Sequence, residues 1–153
     1  MYEVLNEKKI DLVIVGPEKP LVEGVVDFLE SKNIKVFGPR KKVSQLEGSK
    51  IFTKKICDKY KIPTANFKIC NSKDEAFEFL SSANFPLVVK ADVIAAGKGV
   101  YICKKIEDAE LAIIEIFGGK FGKTEQLLIE EFLEGDEMSF FIISDGITYK
   151  TFN

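Results

Sequence analysis

Leu87-Val88-Val89-Lys90-Ala91-Asp92-Val93-Ile94-Ala95-Ala96-Gly97-Lys98-Gly99-Val100 is the stretch on which the fold reading turns. A short apolar run rich in β-branched residues reads as a buried strand. A loop of small residues then carries Lys98 between two glycines, and a second strand leaves at Val100. Glycines allow positive φ and close approach of backbone N–H groups to a ligand, and such loops bind phosphate anions. Lys90 and Lys98 would neutralise a polyphosphate as point charges. Taken alone, Gly97-Lys98-Gly99 favours a plain β-hairpin with a solvated lysine at its tip. Lys90 weighs against that, because an ammonium at the end of an apolar strand needs an anion or carboxylate partner.

Outward from this stretch, short strands and helices alternate. Downstream come a helix over 106–117, strands over 126–131 and 137–144, and an Asp145-Gly146 turn that opens a hairpin returning through 147–152. Upstream lie a helix over 72–81 that opens with the capping-box pattern Ser72-x-x-Glu75, and a strand over 65–69. A helix over 49–60 places Phe52, Ile56 and Tyr60 on one face and ends at Ile62-Pro63. Earlier still the rhythm differs. A buried parallel strand over 10–15 stops at Gly16-Pro17, and Leu21, Val22, Val25, Val26, Phe28 and Leu29 follow at helical spacing. A second strand over 34–37 then ends at Gly38-Pro39. Strand, helix, strand is a βαβ unit. The change of rhythm sets a domain boundary near residues 40–50. The first piece is too small to close a core alone, and the last hairpin's return strand has barely begun. The chain therefore reads as the middle of something longer, of class α/β followed by α+β.

Composition narrows the function. With 22 Lys+Arg against 24 Asp+Glu, the net charge of −2 argues against a nucleic-acid surface and leaves room for a local cationic pocket. The chain has no His, which removes every His-based triad and every His-ligated zinc site and leaves oxygen-ligated magnesium open. Cys57, Cys70 and Cys103 are an odd, scattered set, expected as reduced, small apolar residues of a cytosolic protein. No apolar run approaches the ~20 residues that span a bilayer, and the charged N-terminus is not a signal peptide.

Four further segments carry candidate chemistry. Phe117 to Thr124 looks like a Walker loop, but only three residues separate Gly118 from Gly122, and helix precedes it where a P-loop has a strand. It reads as a loop with Gly118 as helix C-cap. The acidic run around Glu130, Glu131, Glu134, Asp136 and Glu137 is either a solvated turn or a hinge facing a nucleoside, with one acid accepting the ribose hydroxyls. Taken alone, the solvated turn is favoured. Gly16-Pro17-Glu18 sits where a strand ends and a helix begins, the usual ligand crevice of an open α/β sheet. Ser49 and Lys50 in Gln45-Leu46-Glu47-Gly48-Ser49-Lys50 read as an N-cap and a first-turn residue.

Taken in order, VGPEKPLVEGV (15–25), GP (38–39), QLEGSKIFTKK (45–55), KIPTA (61–65), VVKADVIAAGKGV (88–100) and IEEFLEGDEMSFF (129–141) resemble the phosphoribosylamine–glycine ligases, also called glycinamide ribonucleotide synthetases. These are ATP-grasp enzymes of purine biosynthesis, and the resemblance covers essentially the whole chain. It implies that residues 1–48 are the end of a Rossmann-like unit and that residues 49–153 are the first part of an ATP-grasp domain. Within the latter, 64–130 would be a small lid subdomain, 130–133 a hinge, and 134–153 the start of a second subdomain. The implied reaction joins glycine to 5-phosphoribosylamine through a glycyl phosphate, using ATP with magnesium or manganese, in the cytoplasm and with no nucleic-acid or membrane partner. Other ATP-grasp ligases or carboxylases fit the same segments less well, and a degenerate, non-catalytic nucleotide-binding module is the alternative of a different class.

By the same resemblance, Lys50 reaches the ATP phosphates and Lys90 contacts phosphate from its strand. Ala95, Ala96, Gly97, Lys98 and Gly99 form the closing loop, with Lys98 as its catalytic charge. Glu130, Glu131, Phe132 and Leu133 form the adenine hinge, Glu137 ahead of Asp136 binds ribose, and Gly16, Pro17 and Glu18 lie on the phosphoribosylamine side. Two departures stand out. Val93 occupies a position where the family has Gly, which would cost roughly 1–2 kcal/mol if φ there were positive. The family's Gly-rich opening strand and its late Glu and Asn metal ligands are expected outside this chain. The resemblance thus implies an internal piece that is not competent in phosphoryl transfer alone.

Overall fold

The computed structural model describes residues 2–94 and 98–152. A short helix α1 (Tyr2–Glu7) precedes strand β1 (Val13–Ile14). Helices α2 (Glu18–Glu23) and α3 (Val25–Ser31) follow, and strand β2 (Val36–Phe37) pairs with β1 in parallel, Val13 against Val36 and Ile14 against Phe37. The helix expected after Pro20 starts earlier, at Glu18, because Pro20 falls in the first turn, where backbone N–H groups have no intrahelical acceptor. It is also interrupted at Gly24, with φ +97°. The strand expected to be buried is not: Ile14 is 70% exposed. Leu21, Val26 and Leu29 bury one side of this unit, and among the described residues no third strand covers the other.

Helix α4 (Lys41–Gly48), which no apolar periodicity announces, leads into helix α5 (Lys50–Tyr60). Ser49 caps α5, its hydroxyl accepting the Phe52 N–H at 3.0 Å. The buried face of α5 is Ile51 and Lys54, whereas Tyr60 of the expected Phe52-Ile56-Tyr60 stripe is 62% exposed.

Strand β3 (Phe67–Cys70), helix α6 (Lys73–Leu80), strands β4 (Leu87–Ala91) and β5 (Val100–Cys103), helix α7 (Ile106–Phe117) and strand β6 (Leu127–Glu131) complete one antiparallel sheet of order β3-β6-β4-β5. Its core face presents Cys70, Leu87, Val89, Ala91, Cys103, Leu127 and Ile129 to Ala76 and Leu80 of α6 and to Ala109, Ala112, Ile113 and Ile116 of α7. The period of two then puts Val88, Lys90, Leu128 and Glu130 on the opposite face, the side on which α5 packs against β6. That alternation makes the two faces different in kind, one a dry core and the other a site.

Cys70 and Cys103 are fully buried, and burial pushes both thiols up to about 11. Cys57 is half-buried. Since the thiolate is the reactive species, a thiol reagent at neutral pH is expected to label Cys57 rapidly and the other two only after unfolding. Mass spectrometry of labelled peptides checks this, and early labelling of Cys70 would contradict the packing.

The cap of α6 is a capping box displaced by one residue. Ser72 Oγ accepts the Glu75 N–H at 3.1 Å, while the Glu75 carboxylate accepts the N–H of Asn71, at 2.8 Å, and pairs with Lys68 at 3.0 Å. These contacts, the Asn71 N–H first, pull Glu75 from 4.5 down to about 2. A lowered folded value means the stabilisation is present above the unfolded pKa and is lost as pH falls from about 4.5 through about 2. An NMR titration is expected to find the Glu75 carboxyl carbon still ionised at pH 3. A midpoint near 4.5 would rule the cap out.

At the end of α7, Gly118 has φ −72°, and the left-handed residue is Gly119, with φ +83°. The Lys120 N–H reaches Glu115 O and the Gly119 N–H reaches Ile116 O, a Schellman closure whose C′ position needs the positive φ that glycine adopts without strain. Val93 is not among the positive-φ residues, so the strain expected there is absent. Strands β7 (Ile142–Ser144) and β8 (Tyr149–Thr151) form the hairpin around the Asp145 turn. The strand expected over 137–144 is confined to its last three residues, because among the described residues 137–141 have no strand to pair with.

Candidate functional site

Adjacent β4 and β6 set Val88 opposite Glu130 and Lys90 opposite Leu128. Lys90 and Glu130 are then diagonal neighbours on one face. The Lys90 ammonium lies 2.6 Å from Glu130 Oε2, which supplies the carboxylate partner that a lysine on an apolar strand requires. The other carboxylate oxygen, Oε1, takes Lys54 Nζ of α5 at 3.2 Å. Lys54 Nζ also donates to Thr64 Oγ1 at 2.6 Å and to Ala65 O at 3.1 Å, and stands 5.3 Å from the centre of the Phe67 ring. Lys54 and Glu130 are 9% and 7% exposed, Lys90 25%. One carboxylate is thus held between two ammonium groups, one sealed and one facing out.

A second cluster joins the start of α5 to the end of β4. The Asp92 carboxylate accepts the Ser49 hydroxyl at 2.8 Å and the Ile51 N–H at 3.1 Å, which places a negative charge at the N-terminus of α5. Lys50 Nζ donates to Ala91 O at 3.1 Å and to Val93 O at 3.2 Å. The root of the small-residue loop is therefore tied to the helix that carries Lys50 and Lys54.

Both clusters open into one cleft of about 720 Å³, lined by Lys50, Thr53, Lys54, Lys90, Glu130 and Leu133, with the exposed acids Glu18 and Glu47 at its rim. Small-molecule sites occupy about 300–1,000 Å³. Of the residues singled out in the sequence, Glu18, Lys50, Lys90, Glu130 and Leu133 meet here. Gly16, Pro17, Lys98, Gly99, Glu131, Phe132 and Glu137 do not line the cleft. Ala95, Ala96 and Gly97 lie outside the described residues.

Strand alternation separates Glu131 from Glu130. The Glu131 carboxylate accepts both the backbone N–H and the side-chain amide of Asn66, each at 2.9 Å, and the backbone bond holds it below the usual carboxylate range. Phe132 lines a second hollow of about 380 Å³ with Phe67, Phe79 and Pro86. Glu137 is exposed. Lys98 is exposed and makes no ion pair with another described residue.

Lys54 and Asp92 are the site residues that sequence reasoning missed. Lys54 had a signal, since it is four residues from Lys50 and so shares its helix face. Asp92 had only its place directly after a buried strand. As to metal, no group of three or more acidic or sulfur ligands is gathered among the described residues. The donor set here does not fit a divalent-cation cage.

The sheet, its two covering helices and the preceding βαβ unit are the architecture of an ATP-grasp protein. Residues 48–153 match the family described as phosphoribosylglycinamide synthetase, ATP-grasp (A) domain, and residues 1–47 match its N domain. The chain belongs to the phosphoribosylglycinamide synthetase family. It is 47% identical over 148 residues to the phosphoribosylamine–glycine ligase of Mesorhizobium japonicum, covering 96% of this chain and 35% of that protein. It is 44% identical over 148 residues to that of Escherichia coli K12, covering 95% of this chain and 34% of that one. The crystal structure of the Thermotoga maritima phosphoribosylamine–glycine ligase superposes with a TM-score of 0.73 at 36% identity, over 84% of this chain and 33% of that chain. The chain thus spans about a third of the length of the curated relatives it matches.

Proposed function

We propose that the cleft between α5 and the β4–β6 face binds ATP, and that the chain contributes this ATP site to the ligation of glycine to 5-phosphoribosylamine. The observation that carries the reading is the convergence of Lys50, Lys90, Glu130 and Leu133 on one cleft of nucleotide size. Lys90 supplies an outward-facing ammonium for phosphate oxygens, and Lys98 is the candidate for a second. Leu133, two residues past the end of β6, is the candidate to offer backbone groups to the adenine edge, and Glu137 is the candidate for the ribose hydroxyls. Gly16, Pro17 and Glu18 form the candidate phosphoribosylamine side.

In the reaction, a glycine carboxylate oxygen attacks the γ-phosphorus of ATP, the bond to the β-γ bridging oxygen breaks, and ADP leaves. The amine of phosphoribosylamine then attacks the acyl carbon and expels phosphate. The chain's part is positioning and charge neutralisation. Magnesium supplies further neutralisation when bound, and no described residue is assigned to it. The setting proposed is the cytoplasm, and among the described residues no helix is long and apolar enough to cross a membrane.

Equilibrium titration with ATP tests the site, with saturable one-to-one binding displaced by ADP as the expected result. The ligase assignment is tested separately. Because the chain is expected not to be competent in phosphoryl transfer alone, it should release no phosphate from ATP even with glycine and phosphoribosylamine present. Robust release that needs both would contradict that expectation, and release that ignores either substrate would contradict the ligase assignment.

A further inference from the structure

The Lys54 ammonium is already engaged on three sides: it donates to Thr64 Oγ1 and Ala65 O and ion-pairs with Glu130 Oε1. These contacts hold it to the protein, although its residue lines the cleft. Lys90 is the opposite case. Among the described residues its ammonium pairs with Glu130 alone, and Lys90 is the more exposed lysine and faces the cleft with donors to spare. Were Lys54 neutral, Glu130 would depend on Lys90 alone, and a buried carboxylate surrenders its sole counter-ion only at high cost.

We infer that Lys54 is a positioning residue: by holding Glu130 neutralised, it lets the Lys90 ammonium leave that carboxylate for an anionic ligand in the cleft. The inference rests on the ATP reading for the ligand, but not for the coupling among the three side chains. It also explains why two lysines converge on one acid when a single pair would already balance the charge.

The test starts without nucleotide, on the full chain. Acetic anhydride modifies the neutral amine, so the rate at Lys90, read by mass spectrometry, reports how firmly its proton is held. In Lys54→Met that rate should fall about tenfold, the change that one pKa unit makes in the free-amine fraction. In Glu130→Gln it should rise above that of the unaltered chain, which keeps the inference testable if Lys54→Met fails to fold. An unchanged rate in either variant overturns it. With ligand, Lys54→Met should weaken ATP about tenfold, by the same loss of an available ammonium, and leave uncharged adenosine unaffected. In the Glu130→Gln background the same substitution should have no further effect on ATP. An equal loss in that background would mean that Lys54 touches the phosphates itself, and the inference would fall. If neither nucleotide bound the unaltered chain, the ATP reading would be the one refuted, and the acetylation rates would still decide the coupling.

Discussion

Glu130→Ala is expected to lower the free energy of unfolding by about 3–5 kcal/mol, the cost of leaving a buried charge without its partner. The asymmetry of the triad sets that size. At 25% exposed, Lys90 can turn its ammonium to water once the carboxylate is gone. Lys54, at 9%, cannot, and Thr64 Oγ1 and Ala65 O offer it hydrogen bonds but no opposite charge. Glu131 is the internal control. It is the next residue and also hydrogen-bonded, but it is exposed, so water can replace the Asn66 contacts and its loss should cost far less than that of Glu130. Urea denaturation of the two variants compares them directly, and equal, small losses would mean that the triad is not buried.

Lys90→Ala is expected to act on binding and to leave most of the stability in place. Glu130 keeps Lys54 as counter-ion, so the carboxylate is not stranded. A hydrogen bond to a charged group is worth about 1.5–3 kcal/mol, which at 1.4 kcal/mol per decade is roughly a ten- to hundredfold weaker ATP affinity. Isothermal titration measures it, with the melting temperature as control for folding. Unchanged affinity in a folded variant would remove Lys90 from the phosphate path.

Much of the second half of the chain was legible because its elements are locally determined. β4, β5 and α7 begin and end where their apolar patterns do, since each packs into the core that Val89, Cys103 and Ile113 share. The failures have physical causes. α4 carries Val43 and Leu46, both about half exposed, so it shows no stripe to read. Its Ser44 hydroxyl, bonded to Pro39 O and Arg40 O, is buried in place of an apolar group. β1 reads as a buried strand from its β-branched run, but among the described residues the sheet has two strands and Ile14 stays exposed. Residues 137–141 alternate well enough for a strand, but among the described residues no strand pairs with them, and only Phe141 O accepts a backbone N–H, from Phe152 at 3.1 Å.

The candidate site was legible residue by residue and not as an arrangement. A carboxylate partner for Lys90 follows from elementary electrostatics, but that the partner is Glu130, and not its neighbour Glu131, depends on the β4–β6 register. That register is set by contacts distant in sequence. The burial of Lys54 depends on the same packing, because its hydrogen-bond acceptors lie past the end of its own helix.

The central claim is that the α5 and β4–β6 cleft is where ATP sits. The direct measurement is an NMR titration of the 15N-labelled chain with ATP. The account predicts that the amide signals of Lys50, Thr53, Lys90 and Leu133 move along one saturation curve, while those of Phe79 and Ala83, around the smaller hollow, stay in place. Shifts that do not saturate, or that centre on the smaller hollow, would contradict it.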